Sequence, residues 1–128
     1  MQIRELMEKE VIFVFEETSL KEVVELLCER RINGIPVVNS DHRVVGVVTV
    51  SDIIHRTEMF DSDFDSESLG KVRASQLMTR NPIMLGPDAD IDQPLAIFAA
   101  ISIKQIPIVE DGQLVGILGR KDLIKGLL

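Results

Sequence analysis

Apolar and polar positions along this chain follow a pattern that occurs twice. Leu6-Met7 and Leu77-Met78 open the two occurrences, 71 residues apart. The same offset pairs Ile12 with Ile83, Ile32 with Ile103, Ile35-Pro36 with Ile106-Pro107, and Val38 with Val109. One residue is then missing from the second occurrence, and an offset of 70 pairs Val45-Gly46 with Val115-Gly116, Asp52 with Asp122, and Ile54 with Ile124. Ordered matches along the whole of both halves mark an internal duplication.

Each copy predicts the same elements. A short β-rich piece (Val11–Phe15; Pro82–Leu85) leads into a helix. In the first copy Ser19 and Glu22 have the spacing of a capping box, followed by apolar Val23, Val24 and Leu27 and by Glu25, Glu29 and Arg30 on a solvated face. In the second, Asp90 or Asp92 can cap, and Pro94 falls in the first turn, where proline is tolerated. Two strands follow: Ile35–Asn39 with Val44–Val50, and Ile106–Glu110 with Leu114–Leu118. Asp111-Gly112 predicts a tight hairpin between the second pair, while the first uses the longer Asn39–Arg43 loop. A final helix begins near Ser51 in one copy and Lys121 in the other. The expected fold class is α/β (α+β), two βαββα repeats over 1–57 and 71–128 joined by an acidic linker over 58–70. Units this small are hardly stable apart, so their sheets are expected to share one core about an approximate two-fold axis, with equivalent clefts between the copies.

Charge and composition narrow the partners. A net charge of -7 argues against nucleic acid or an anionic membrane, whose recognition rests on clustered Lys and Arg, but leaves room for an anionic small molecule at a local positive site. No apolar run approaches the length of a membrane span, and residues 1–20 lack a basic region followed by an apolar stretch. The single cysteine, Cys28, reads as a small buried hydrophobe, and one thiol allows no disulfide within the chain. A reducing, cytoplasmic setting is the expectation. In the linker, Asp61, Asp63 and Asp65 alternate like calcium ligands, yet Ser66 stands where that loop demands Gly and Val72 where it demands Glu, so the segment reads as a solvated, mobile connector instead.

The strand-to-helix junction Gly46–Asp52 carries the chemistry. A buried strand ends there and a helix opens, offering unpaired N–H groups and a positive dipole end to a phosphate. Thr49 and Ser51 add hydroxyl donors, Asp52 can accept from two neighbouring ribose hydroxyls, and His55 and Arg56 can bring positive charge one turn later. Ser-Asp at a helix start is also ordinary capping chemistry, and a duplication copies caps as readily as sites. His42, His55 and Cys28 fall short of a zinc set, and no nucleophile-plus-base arrangement or Gly-rich phosphate loop is visible, which argues against an enzyme.

The apolar residue plus Pro (Ile35-Pro36, Ile106-Pro107), the two strands, the Gly-φ-φ-Thr-x-x-Asp stretch (φ apolar) and the Leu-Met opening of each copy together resemble the CBS domain. The resemblance covers nearly all of the chain except the linker. It implies a tandem CBS pair, a regulatory module that binds an adenosine-containing ligand (AMP, ADP, ATP or S-adenosylmethionine) in a cleft between copies and often forms a homodimer. Carried over by position, Asp52 and Asp122 are implied ribose ligands, and Thr49 and Ser51 contact phosphate. The backbone at Gly34-Ile35-Pro36 and Gln105-Ile106-Pro107 borders the adenine, with Ile12 and Ile83 nearby. The second copy departs from the pattern: Gly119 stands at the place of Thr49 and Lys121 at that of Ser51. Its site loses both hydroxyls and gains Arg120 and Lys121, so it either binds phosphate by charge or is empty.

One further difference concerns partners. Where the first repeat helix has Glu25, Glu29 and Arg30, the second has Ala96, Ala100 and Ile101, so Leu95–Ile101 is apolar all round. Such a helix is normally buried on more than one side, either in a homodimer interface or deeper in the monomer. Two roles follow: a sensor that acts on a regulated protein in trans, or a ligand-free dimerisation scaffold.

Overall fold

In the computed structural model the described residues are 1–56 and 66–128. They form a mixed α/β structure. A 3-10 turn at Ile3–Glu5 is followed by β1 (Val14–Phe15), α1 (Leu20–Arg30), β2 (Gly34–Val38), β3 (Val44–Thr49) and α2 (Val50–His55). From residue 66 onward come α3 (Ser66–Lys71), α4 (Ala74–Leu77), β4 (Thr79–Arg80), α5 (Asp92–Ala100), β5 (Gln105–Glu110), β6 (Gln113–Gly119) and α6 (Arg120–Lys125).

Local chemistry explains the helix ends. The Ser19 hydroxyl accepts from the Glu22 N–H at 3.3 Å and starts α1. Arg31, left-handed at φ 54, ends it by donating to the Leu27 carbonyl. Val23 and Leu27 of α1 are buried and Val24 and Leu26 half-buried. Cys28, expected in the core, is exposed. It lies seven positions after Lys21 and three after Glu25, about 100° around the helix from Leu27, so helical geometry outweighs the apolar character of the thiol. At the start of α5 the Asp90 carboxylate accepts from the Asp92 N–H at 3.0 Å, and Pro94 is buried in the first turn. Asp111 (φ 53) and Gly112 (φ 82) form the tight turn between β5 and β6 that their sequence predicts.

The sheets carry the duplication into space. One has the order β1-β2-β3-β4, with β1 parallel to β2 (Val14 opposite Val37) and β4 antiparallel to β3 (Val47 opposite Thr79). The other, the β5-β6 hairpin, is flanked by single bridges at the matching positions, Leu85 parallel to Ile108 and Glu8 antiparallel to Ile117. In each sheet the last strand before the final helix is therefore bordered by a segment that opens the other repeat.

This exchange redraws the compact units. One body comprises Ile12–Asp41 and Val45–Asn81; the other comprises Met1–Val11, His42–Val44 and Pro82–Leu128. The core of the first gathers Val14, Leu20, Val23, Leu27, Ile35, Val37, Val48 and Ile53 around Leu77 and Met78 from the opening of the second repeat. The core of the second gathers Ile106, Ile108, Leu118 and Leu123 around Ile3, with Leu6 and Met7 packed against it. Each large aliphatic side chain buried this way contributes about 1.5–3 kcal/mol.

Glycine makes the exchange possible. A Cβ on Gly46 would stand 2.7 Å from Met78 Sδ and 2.9 Å from the Thr79 carbonyl oxygen. A Cβ on Gly116 would stand 2.6 Å from Met7 Sδ and 3.2 Å from the Glu8 carbonyl oxygen. The repeated Gly and the repeated Leu-Met are thus two halves of one contact, made twice.

The linker expected over 58–70 lies largely outside the described residues, as do Asp61, Asp63 and Asp65. From Ser66 onward the expectation of a solvated connector is corrected. Residues Ser66–Lys71 are helical, Ser68 and Val72 are buried, and Leu69 is half-buried against the first core. Leu69 in this short helix and Val72 just beyond its end give the segment an apolar side that the acidic residues before it obscure. No helix among the described residues is long and apolar enough to cross a membrane.

Two predictions follow from this packing. Gly46→Ala should lower the unfolding free energy by about 1–3 kcal/mol, the usual cost of overpacking. It should cost more than Gly116→Ala, because the Thr79 carbonyl at 2.9 Å stands closer than the Glu8 carbonyl at 3.2 Å and neither can swing aside as a methionine can; urea denaturation of both variants checks the order. The second concerns acid. The Asp92 N–H, ahead of all other causes, holds the Asp90 carboxylate below its ordinary range. A carboxylate depressed in the folded state stabilises above its unfolded value, about pH 3.9, and that contribution disappears as pH falls through the lower folded value. Asp90→Asn, whose amide oxygen can still accept that N–H, should make the acid limb of a circular-dichroism titration less steep.

Candidate functional site

The junction singled out in the sequence is a tight corner. Thr49, extended at φ -113 and ψ 161, caps α2: its hydroxyl accepts from the Asp52 N–H at 3.0 Å. Asp52 replies, its Oδ2 accepting from the Thr49 N–H at 2.9 Å. The other carboxylate oxygen, Oδ1, accepts from the Thr79 hydroxyl at 3.0 Å. Val50 N–H donates to the Asn33 carbonyl at 2.9 Å, which brings the start of β2, and with it buried Gly34, Ile35 and Pro36, to the same corner.

Asp52 is half-buried and doubly held. A carboxylate offers about four acceptor positions, so these two donors leave roughly one open on each oxygen. Capping and ligation are therefore compatible here: the cap fixes the carboxylate without exhausting it.

The other residues expected at this corner separate into groups. Ser51 and His55 turn to each other, with Ser51 Oγ 3.1 Å from His55 Nδ1 and the same nitrogen 2.8 Å from the Ser51 carbonyl. Both are exposed on α2, one turn apart. Ile12 packs half-buried against the first core. Thr79 was not among the expected residues. Its only signal in the sequence is that it follows Leu77-Met78, a position that the first copy fills with Glu8.

The second corner repeats the frame with different chemistry. Asp122 Oδ2 accepts from the Gly119 N–H at 2.7 Å, as Asp52 does from Thr49. Among the described residues its Oδ1 faces only Lys125 Nζ, 3.5 Å away on an exposed side chain. Gly119, opposite Gln105 in the β5-β6 register, supplies no capping hydroxyl. Arg120 is occupied elsewhere: its Nε donates to the Ile103 carbonyl at 3.2 Å, its Nη2 to the Phe98 carbonyl at 3.4 Å, and its guanidinium lies 5.8 Å from the Phe98 ring centroid. It thereby closes the carbonyl end of α5, where a cation is favoured. Lys121 is exposed, Ile106 and Pro107 are buried in β5, and Ile83 is exposed. The amide nitrogen of Gln105, at the position of Gly34, is buried without a hydrogen-bond partner among the described residues.

Leu95–Ile101, expected to be buried on more than one side, is largely exposed. Leu95 retains 46% and Ile101 42% of its surface, Ala96, Ala99 and Ala100 are exposed, and Ile97 and Phe98 are half-buried. Deeper burial within the chain is therefore not the reason for its composition.

The sequence profile of the CBS domain matches residues 3–58 and again 74–128. The chain belongs to the CBS family. It is 28% identical to an uncharacterised protein of Methanocaldococcus jannaschii, over 100% of this chain and 92% of that protein. It spans only 14% to 56% of the length of other curated relatives, inosine-5'-monophosphate dehydrogenases and a tRNA nucleotidyltransferase among them. Among solved structures, CBSX2 in complex with AMP, a protein of Arabidopsis thaliana, superimposes with a TM-score of 0.83 at 25% identity, covering 98% of this chain and 95% of that one. The CBS domain pair of protein MJ0100, solved with 5'-methylthioadenosine and S-adenosyl-L-methionine, shares the fold at a TM-score of 0.81 and 23% identity, covering 99% of this chain and 95% of that one. The fold is that of two CBS repeats.

Proposed function

We propose that this CBS pair is a regulatory module that binds an adenosine-containing ligand at the Asp52 corner and acts on another protein in trans, as a sensor and not as an enzyme. The observation that carries this reading is the Asp52 carboxylate, held by Thr49 and Thr79 with an acceptor position left on each oxygen. Two adjacent acceptors suit the vicinal hydroxyls of a ribose, and Gly34 at the start of β2 leaves that side free of a side chain. A structural neighbour at 25% identity bound to AMP supports the same choice of ligand. AMP is the ligand to try first, with ADP, ATP and S-adenosylmethionine beside it.

Thermal shift and calorimetry test the reading. A ligand that binds only the folded form, at a hundred times its dissociation constant, stabilises it by about 2.7 kcal/mol. At least one adenosine ligand should do so. Asp52→Ala should weaken that ligand by roughly ten- to a hundredfold, the worth of about 1.5–3 kcal/mol for hydrogen bonds to a charged group. Unchanged binding by the folded variant would show that the site lies elsewhere.

The exposed apolar face of α5 favours a second element of the same function, self-association. The Ala residues allow close approach of a second helix, and Leu95 and Ile101 supply the area to bury. In this reading a second copy covers Leu95–Ile101, and sedimentation at micromolar concentration should show a dimer that Leu95→Glu disperses. A wild-type protein that sediments only as a monomer would remove the dimer.

A further inference from the structure

The two corners share a frame and differ in one contact. Thr79 lies antiparallel to Val47, and Glu8 holds the same register against Ile117, with Glu8 N–H to the Ile117 carbonyl at 2.9 Å and Ile117 N–H to the Glu8 carbonyl at 3.0 Å. Both residues directly follow the Leu-Met pair whose methionine packs on Gly46 or Gly116. From this shared place Thr79 presents a hydroxyl that donates to Asp52 Oδ1 at 3.0 Å. Glu8 presents a carboxylate, a group that when ionised only accepts. Its Oε1 instead accepts from the Glu10 N–H at 3.2 Å.

We infer that the residue after Leu-Met decides whether a corner is competent for ribose, and that Thr79 is the positioning residue for Asp52. This rests on the reading of Asp52 as the ribose acceptor. Rotation about the Asp52 side chain would take its two oxygens out of line with a pair of vicinal hydroxyls. The Thr49 N–H on Oδ2 and the Thr79 hydroxyl on Oδ1 fix that rotation before a ligand arrives, so the ordering cost falls on folding and not on binding. At the other corner Asp122 Oδ2 is fixed by the Gly119 N–H, but among the described residues Oδ1 meets only a lysine ammonium on a side chain that is 67% exposed. An acceptor-only residue at the Thr79 position adds negative charge beside a site that would receive an anionic ligand. The chain accordingly takes one adenosine nucleotide, at Asp52, and the duplication is functionally asymmetric.

Calorimetry with AMP and with 2'-deoxyAMP on the whole chain separates the possibilities. Wild type should bind AMP at one equivalent per chain and prefer it to the deoxy compound. Thr79→Val, which keeps the β-branched shape of an edge-strand residue, should weaken AMP by about tenfold and narrow the preference for AMP over 2'-deoxyAMP. Thr79→Ser, which restores the hydroxyl, should recover both. A residue that merely stabilises the strand would weaken both nucleotides equally and leave their ratio unchanged, so an unchanged ratio in folded Thr79→Val overturns the positioning role. Two equivalents of AMP bound by wild type overturn the asymmetry. Asp52→Ala that binds AMP like wild type overturns the ribose site itself, and this inference with it.

Discussion

The structure depends on one contact made twice: a methionine lying on a glycine at the centre of a strand. Met78 crosses Gly46 and Met7 crosses Gly116, at distances that leave no room for a Cβ. That close approach lets the segment after each methionine pair with the strand before the final helix. It also carries leucine, methionine and isoleucine side chains into the core of a body that the rest of their own repeat does not form. Without it, β3 and β6 would each present an open edge, a liability in any sheet. The chemistry of both corners begins three residues beyond this contact, at Thr49 and Gly119.

The same constraint links architecture to the candidate site. Because Leu77-Met78 is anchored, Thr79 has a defined register against Val47, and from that register its hydroxyl reaches Asp52. The cap at Thr49 would form in any sequence with a hydroxyl and a carboxylate three residues apart. What distinguishes this corner from an ordinary cap is the third member, delivered from 27 residues away in the chain. A cap alone leaves the outer carboxylate oxygen to solvent, whereas a cap with a second donor fixes both oxygens.

The second corner shows how a duplicated frame diverges while its backbone persists. Gly119 keeps the extended cap conformation and its N–H still reaches the aspartate. The hydroxyl of the cap is gone, and Arg120 has turned to the carbonyl end of α5. Gln105 puts a side chain where Gly34 has none, and its amide nitrogen is buried without a partner among the described residues. Burying a polar group unpaired costs stability.

Local order decided what could be read in the chain by itself. The duplication, the succession of strand, helix, hairpin and helix, the Asp111-Gly112 turn, the Ser19 cap and the Asp52 corner all depend on residues within a few positions of one another. The CBS family was legible from the same short motifs. Three things were not. Cys28 is apolar by type but lies on the Lys21–Glu25 face of α1, and only the placement of that helix shows which face is inside. Leu69 and Val72 turn the end of an acidic stretch into a packed helix, because a core was available to receive them. The partners of Leu6-Met7 and Leu77-Met78, and hence the presence of Thr79 beside Asp52, follow from which body each segment joins. That is a long-range choice, made by complementary shape between methionine and glycine, and a one-dimensional pattern records both partners without saying that they meet.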